Sequence, residues 1–316
     1  MAWLKKIFLF VLFLCLICLG AEKVFDFFIL KNLNIKSSYI YSHKDINADI
    51  LVLGDCAVLY MKSPDEYTGL TSYNLATNHA SYAENYANLY LYLKGNKAPA
   101  YLLLSVTVQS MVGFNVFNTH FYAPFLDDSV IAAVVKKEDR DYYRLSSVPF
   151  MKYAFYNKYT SFNMVQGAIH YFTGKKFPHY ANGYWKIPNA DRIKDPMNQY
   201  PGGTIFPCNG NEEYYLSKIV LLARQAGTRV IFIKPPVLKE TMSFFKNRNE
   251  ITQRINILAK LHHADFWNFE DMDIADSRQY FFAKVNLDEE GAAVFIQALA
   301  EKFNREYPLH PMPKEK

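Results

Sequence analysis

Cys56 follows Gly54-Asp55 at the end of the apolar run in "NADILVLGDCAVLY" (47–60). A thiol delivered at a strand end is a candidate nucleophile. Its ordinary pKa, about 8.5, leaves a few per cent thiolate at neutral pH, so it needs less help than a hydroxyl. A helix starting just beyond it would lower that pKa, whereas the neighbouring Asp55 would raise it. The competing reading is a small apolar side chain in a turn, or a disulfide with Cys208, the other cysteine outside the N-terminal apolar run. His79, in "YNLATNHAS" (73–81), is a histidine that can approach Cys56, although an isolated histidine more often serves a loop or packing role. Asn78 beside it is a candidate binding residue.

Other groupings are weaker. His262-His263 closes a helix without a Cys or carboxylate at ligand spacing, and "DMDIAD" (271–276) lacks the glycine and terminal glutamate of a calcium loop. "YPGGTIF" (200–206) reads as a turn rather than a phosphate loop. Lys234, at the exit of a strand into Pro235-Pro236, can meet an anionic group but reads by default as a surface lysine. No cofactor and no metal site is expected.

These residues need a scaffold, and the chain of 316 residues, 51% hydrophobic, is long enough to bury one. The net charge of +5 is mild, and basic stretches such as 135–144 mix both signs, so no nucleic-acid footprint is expected. Lys5 and Lys6 precede the uncharged run "IFLFVLFLCLICLGA" (7–21), which holds Cys15 and Cys18, and "EKVFDFFILKNL" (22–33) continues it as an apolar-rich helix. This predicts an uncleaved signal-anchor over 1–33, with the N-terminus cytoplasmic and the remainder extracytoplasmic. Cleavage near Cys18 and Gly20 is the rival reading.

Beyond the anchor, buried-strand runs at 49–54, 100–108, 228–236 and 264–269 alternate with helical periodicity at 82–94, 211–227 and 250–263, and a last helix begins at Asp288. Leu216, Ile219, Val220 and Ala223 form one apolar stripe of the 211–227 helix. Such alternation predicts an α/β domain with a mainly parallel sheet and ligands at the carboxyl ends of the strands. Between about 110 and 205 the periodicity weakens, which suggests an insertion within a 34–308 domain, followed by a tail at 309–316.

With its N-terminal anchor, "ADILVLG" running into Asp55-Cys56 and the closing "NLDEEGAAVF", the chain resembles the SGNH (GDSL-type) hydrolase superfamily. Its nearest likeness is to membrane-anchored envelope members similar to the D protein of teichoic-acid D-alanylation and to alginate acetyltransferase-like proteins. The resemblance covers roughly 47–110 and 205–305. It implies a three-layer α/β/α sandwich of the SGNH/flavodoxin-like kind. It puts Cys56 at the nucleophile position, Ala76 at the position of the glycine whose N–H serves the oxyanion, Asn286 at the histidine position and Ala283 at the aspartate position. It also places Asp55, Asn78 and His79 around the binding site.

Asparagine does not titrate near neutrality and alanine orients nothing, so the base and its partner are both gone. The resemblance therefore implies a binding or supporting role toward a cell-surface glycan or acylated polymer. A membrane-bound O-acyltransferase is the implied partner. The alternatives are a thiol-dependent esterase or O-acyltransferase using Cys56, and a structural protein whose aromatic middle mediates assembly.

Overall fold

The computed structural model describes residues 2–32, 34–148, 150–174, 182–184, 203–283 and 285–308. The expected tail at 309–316 and the start of the 200–206 turn lie outside them. In chain order the elements that matter are α1 (Ala2–Leu30), β1 (Ile50–Leu53), α2 (Cys56–Leu59), β2 (Ser72–Asn74), α3 (Tyr82–Gly95), β3 (Tyr101–Ser105), α4 (Val108–Met111), α5 (Asn157–Thr173), α6 (Gly210–Gln225), β4 (Arg229–Lys234), α7 (Arg248–Leu261), β5 (Asp265–Asn268), β6 (Phe281–Ala283), β7 (Asn286–Leu287) and α8 (Glu289–Glu306).

The chain divides into two compact units, Met1–Lys44 with Phe117–Phe177, and Asp45–Val116 with Pro178–Lys316. The expected insertion is therefore shared between units, with Phe117–Phe177 joining the N-terminal segment.

The second unit is α/β. Its five strands run parallel in the order β2-β1-β3-β4-β5. Each expected strand is present, and every residue of β1 is buried, as a strand covered on both faces requires. β2 is absent from the sequence-based expectation, because three residues give no readable periodicity. Alternation along the strands sends Ile50, Val52, Leu103, Ile231, Ile233 and Trp267 to one face, where they pack with Phe295, Ile296, Leu299 and Phe303 of α8. Leu51, Leu53, Leu102, Leu104 and Phe232 point the other way and are also buried. The predicted stripe of α6, Leu216, Ile219, Val220 and Ala223, is buried, and α6 packs on α3 and β4. β6 and β7 form a separate antiparallel pair, with Ala283 opposite Asn286.

In the first unit, α1 carries 28 residues, Trp3–Leu30, that by length and composition can cross a membrane. At about 1.5 Å per residue it exceeds a hydrocarbon core of about 30 Å. Its carboxyl-terminal end holds the middle segment by polar contacts. Lys152 Nζ lies 3.0 Å from Glu22 Oε1 and 3.1 Å from Asp26 Oδ1, and Asn32 Nδ2 donates to the Asn163 carbonyl at 3.2 Å. Gly167 lets α5 approach closely, since a Cβ there would stand 1.6 Å from the Phe28 carbonyl oxygen.

Candidate functional site

The strand order reverses between β1 and β3, and in an open parallel sheet such a switch point opens a crevice at the carboxyl ends. Both loops at that point are tied together by Asp55. Gly54 makes the exit from β1 possible, because a Cβ there would come within 2.4 Å of Ser105 Cβ and 2.7 Å of Val58 Cγ2. Its N–H donates to Asn85 Oδ1 at 3.0 Å. Asp55, 1% exposed, then caps α2 by accepting from the Ala57 N–H at 3.1 Å on Oδ1. Its Oδ2 accepts from Ser110 Oγ at 2.8 Å, Thr107 Oγ1 at 3.1 Å and Asn115 Nδ2 at 3.1 Å. Four donors use the roughly four acceptor positions of a carboxylate. Asp55, expected from the sequence as a binding residue, is buried and clasps the two loops. Thr107, Ser110 and Asn115 escape a reading of the sequence, where nothing couples residues fifty or more positions apart.

Cys56 is 4% exposed and its thiol is free, as is that of Cys208, so the disulfide reading does not hold. Burial, and after it the negative charge of Asp55, push the Cys56 thiol up to about 12. Backbone amides of His79, Cys56 and Ala57 pull the other way without prevailing. The lowering expected from a following helix is overridden, since α2 has only four residues. At pH 7 such a thiol is thiolate in roughly one molecule in 10⁵, against a few per cent for an ordinary cysteine.

The 73–81 stretch begins within β2 and runs on beyond it. Ala76 is buried, but its N–H donates to Asn74 Oδ1 at 2.8 Å, so the donor expected to serve an oxyanion is already engaged. Asn74 is itself held by donating from Nδ2 to the Val58 carbonyl at 2.8 Å. Asn78 and His79 occupy an exposed turn, with His79 at φ +55° and its carbonyl accepting from the Val116 N–H at 2.9 Å. The backbone amide of His79 lowers the Cys56 pKa, and the exposed turn position of the residue agrees with the loop role read for it by default. An Asn-His pair in a left-handed turn is the available signal.

The closing stretch 283–292 also reaches the Cys56 segment. β7 packs against α2, which brings the Asn286 segment to the Cys56 segment, and Ala283 lies across the β6–β7 pair from Asn286. Asn286 Oδ1 is buried with no hydrogen-bond partner among the described residues. Asp288 caps α8 by accepting from the Gly291 N–H at 2.8 Å, and a Cβ at Gly291 would stand 2.3 Å from the Tyr280 carbonyl oxygen. The Asp288–Gly291 stretch thus serves the turn into α8, and neither Asn286 nor Ala283 can move a proton.

Lys234 corrects the default reading. It is buried, with Nζ donating to Glu270 Oε2 at 2.5 Å and Thr252 Oγ1 at 2.6 Å, and burial lowers its pKa. His262 is bonded to Ser217 Oγ at 2.9 Å. Among the described residues no three His, Cys, Asp or Glu side chains gather into a metal-binding group. Comparison of the chain with protein-family models and with curated proteins finds no match.

Proposed function

We propose that this chain is a membrane-anchored, extracytoplasmic protein of the SGNH hydrolase type that has lost Ser-His-Asp chemistry. Its role is to bind a cell-surface glycan or acylated polymer in support of envelope modification. One observation carries the reading. Cys56, which the resemblance aligns with the nucleophile, is buried beside a carboxylate that raises its pKa, and Asn286 and Ala283, which it aligns with the base and its orienting acid, carry no proton-transfer group. A scaffold that keeps its turns and loses its proton-transfer groups retains a place to bind.

The three-layer α/β/α arrangement belongs to the same proposal. It is supported by a sheet whose two faces are both buried, one against α8, and by strand order 2-1-3-4-5. The orientation, with the N-terminus cytoplasmic, rests on Lys5 and Lys6 flanking the apolar run. An O-acyltransferase of the same membrane is the proposed partner.

A thiol-dependent esterase or acyltransferase is the second reading. It is favoured by the backbone amide of His79, which lowers the Cys56 pKa against the effect of burial. The two readings separate in an ester-hydrolysis assay on the full chain, using p-nitrophenyl acetate and acetylated oligosaccharides beside Cys56→Ala. Equal background rates in both proteins are expected. Turnover that vanishes in Cys56→Ala would replace the binding role with the enzymatic one.

A further inference from the structure

One strand beyond the Cys56 loop, a small cleft opens at the carboxyl ends of β3, β4 and β5, bordered by Thr107, Lys234, Met242, Glu270 and Val285. It has room for about one water-sized group. Its floor is unusual in containing both charges of a buried pair. Lys234 is 2% exposed and Glu270 6%. The ammonium group has three N–H donors, of which two reach Glu270 Oε2 and Thr252 Oγ1. The Thr252 hydroxyl donates a hydrogen bond to the Arg248 carbonyl at 2.8 Å, so it is satisfied. Glu270 Oε1 is buried and has no hydrogen-bond partner among the described residues.

Leaving a carboxylate oxygen buried and unpaired is costly, and a cleft at a ligand-binding edge is where such a cost has a use. The pair is neutral as a whole, which removes the attraction for a net cation or anion. What remains is one donor and one acceptor side by side. A hydroxyl group, which donates one hydrogen bond and accepts others, matches that pattern. The apolar border supplied by Met242 and Val285 suits the C–H face of a sugar ring.

We propose that the Lys234–Glu270 pair and the cleft it lines form a subsite for a single hydroxyl group of a neutral saccharide. The inference rests on the glycan-binding reading above and gives it a location. Thr107 links the two places, since it borders the cleft and donates to Asp55 at the switch point. A saccharide held by Lys234 and Glu270 therefore extends toward the Cys56 loop.

The test is calorimetric titration of the full chain, in a detergent without sugar headgroups, with chitotetraose and with cellotetraose. Two variants accompany it. Lys234→Met/Glu270→Leu removes donor and acceptor together, an exchange that buried pairs tolerate, and Val285→Trp fills the cleft from its half-buried rim while leaving both members of the pair in the chain. Binding of at least one oligosaccharide, weakened about tenfold or more in both variants, is the expected result. Should the double variant fail to fold, loss of binding in Val285→Trp supports the subsite by itself. Binding that survives in the variants means that the cleft holds a structural water only. The subsite is then overturned while the glycan reading stands. No binding of either oligosaccharide to the unaltered chain overturns both.

Discussion

Asp55 shows how a residue in a catalytic-looking motif can serve the fold. Its carboxylate gathers the Ala57 N–H, both hydroxyls of Thr107 and Ser110, and the Asn115 amide in a site closed to water. Replacing it by alanine strands those donors. Asp55→Ala is expected to lower stability by about 2–4 kcal/mol in urea unfolding. A change below about 0.5 kcal/mol would contradict the clasp. The Gly-Asp-Cys order is legible in the sequence, and so is the pull of Asp55 against ionisation of Cys56. The strength of burial is not, because it depends on tertiary packing such as that of β7 against α2. Neither the orphaned acceptors at Asn286 and Glu270 nor the engagement of the Ala76 N–H can be read without coordinates.

At the scale of elements, the alternation of apolar strand and amphipathic helix identifies the second unit well, since each run is long enough to display its period. β2 and the β6–β7 pair are two or three residues each and carry no such signal. Residues 110–205 resist a sequence reading for another reason. The part of them that joins the N-terminal segment, within Phe117–Phe177, does so through tertiary contacts such as Lys152 with Glu22 and Asp26, and through the absence of a side chain at Gly167. Within that unit His120 stacks on Tyr159, with ring centroids 4.8 Å apart, and burial lowers its pKa to about 4. An unfolded chain takes up the proton below about 6.5 and the folded one only below about 4. Stability is therefore whole above pH 6.5, is lost as the pH falls from 6.5 to 4, and does not change further below that from this source. The loss is up to about 3 kcal/mol. Thermal melts of His120→Gln against the unaltered chain should converge on a smaller difference at pH 4 than at pH 7. Parallel curves would show that His120 is not the buried neutral ring described.

For the whole molecule, the N-terminal helix and the α/β unit are both evident from patterning, while the division of the chain into two units is not. Exposed Phe8, Phe10, Leu12, Phe13 and Leu16 on α1 need an apolar surrounding that the described residues do not supply. The full chain is expected to stay in the membrane fraction through alkaline carbonate extraction. Added protease should digest the α/β unit from the side away from the cytoplasm. Release by carbonate, or protection of that unit in sealed cells, would contradict the anchored orientation.

The central claim, that the buried Cys56 thiol does not supply a nucleophile, is tested most directly by its alkylation rate as a function of pH. With Cys15, Cys18 and Cys208 replaced by serine, iodoacetamide should react slowly at pH 7. The rate should rise about tenfold per pH unit with no plateau below pH 10, as a thiol pushed up to about 12 requires. A rapid reaction at pH 7, levelling off near pH 8, would show an activated thiolate and contradict the claim.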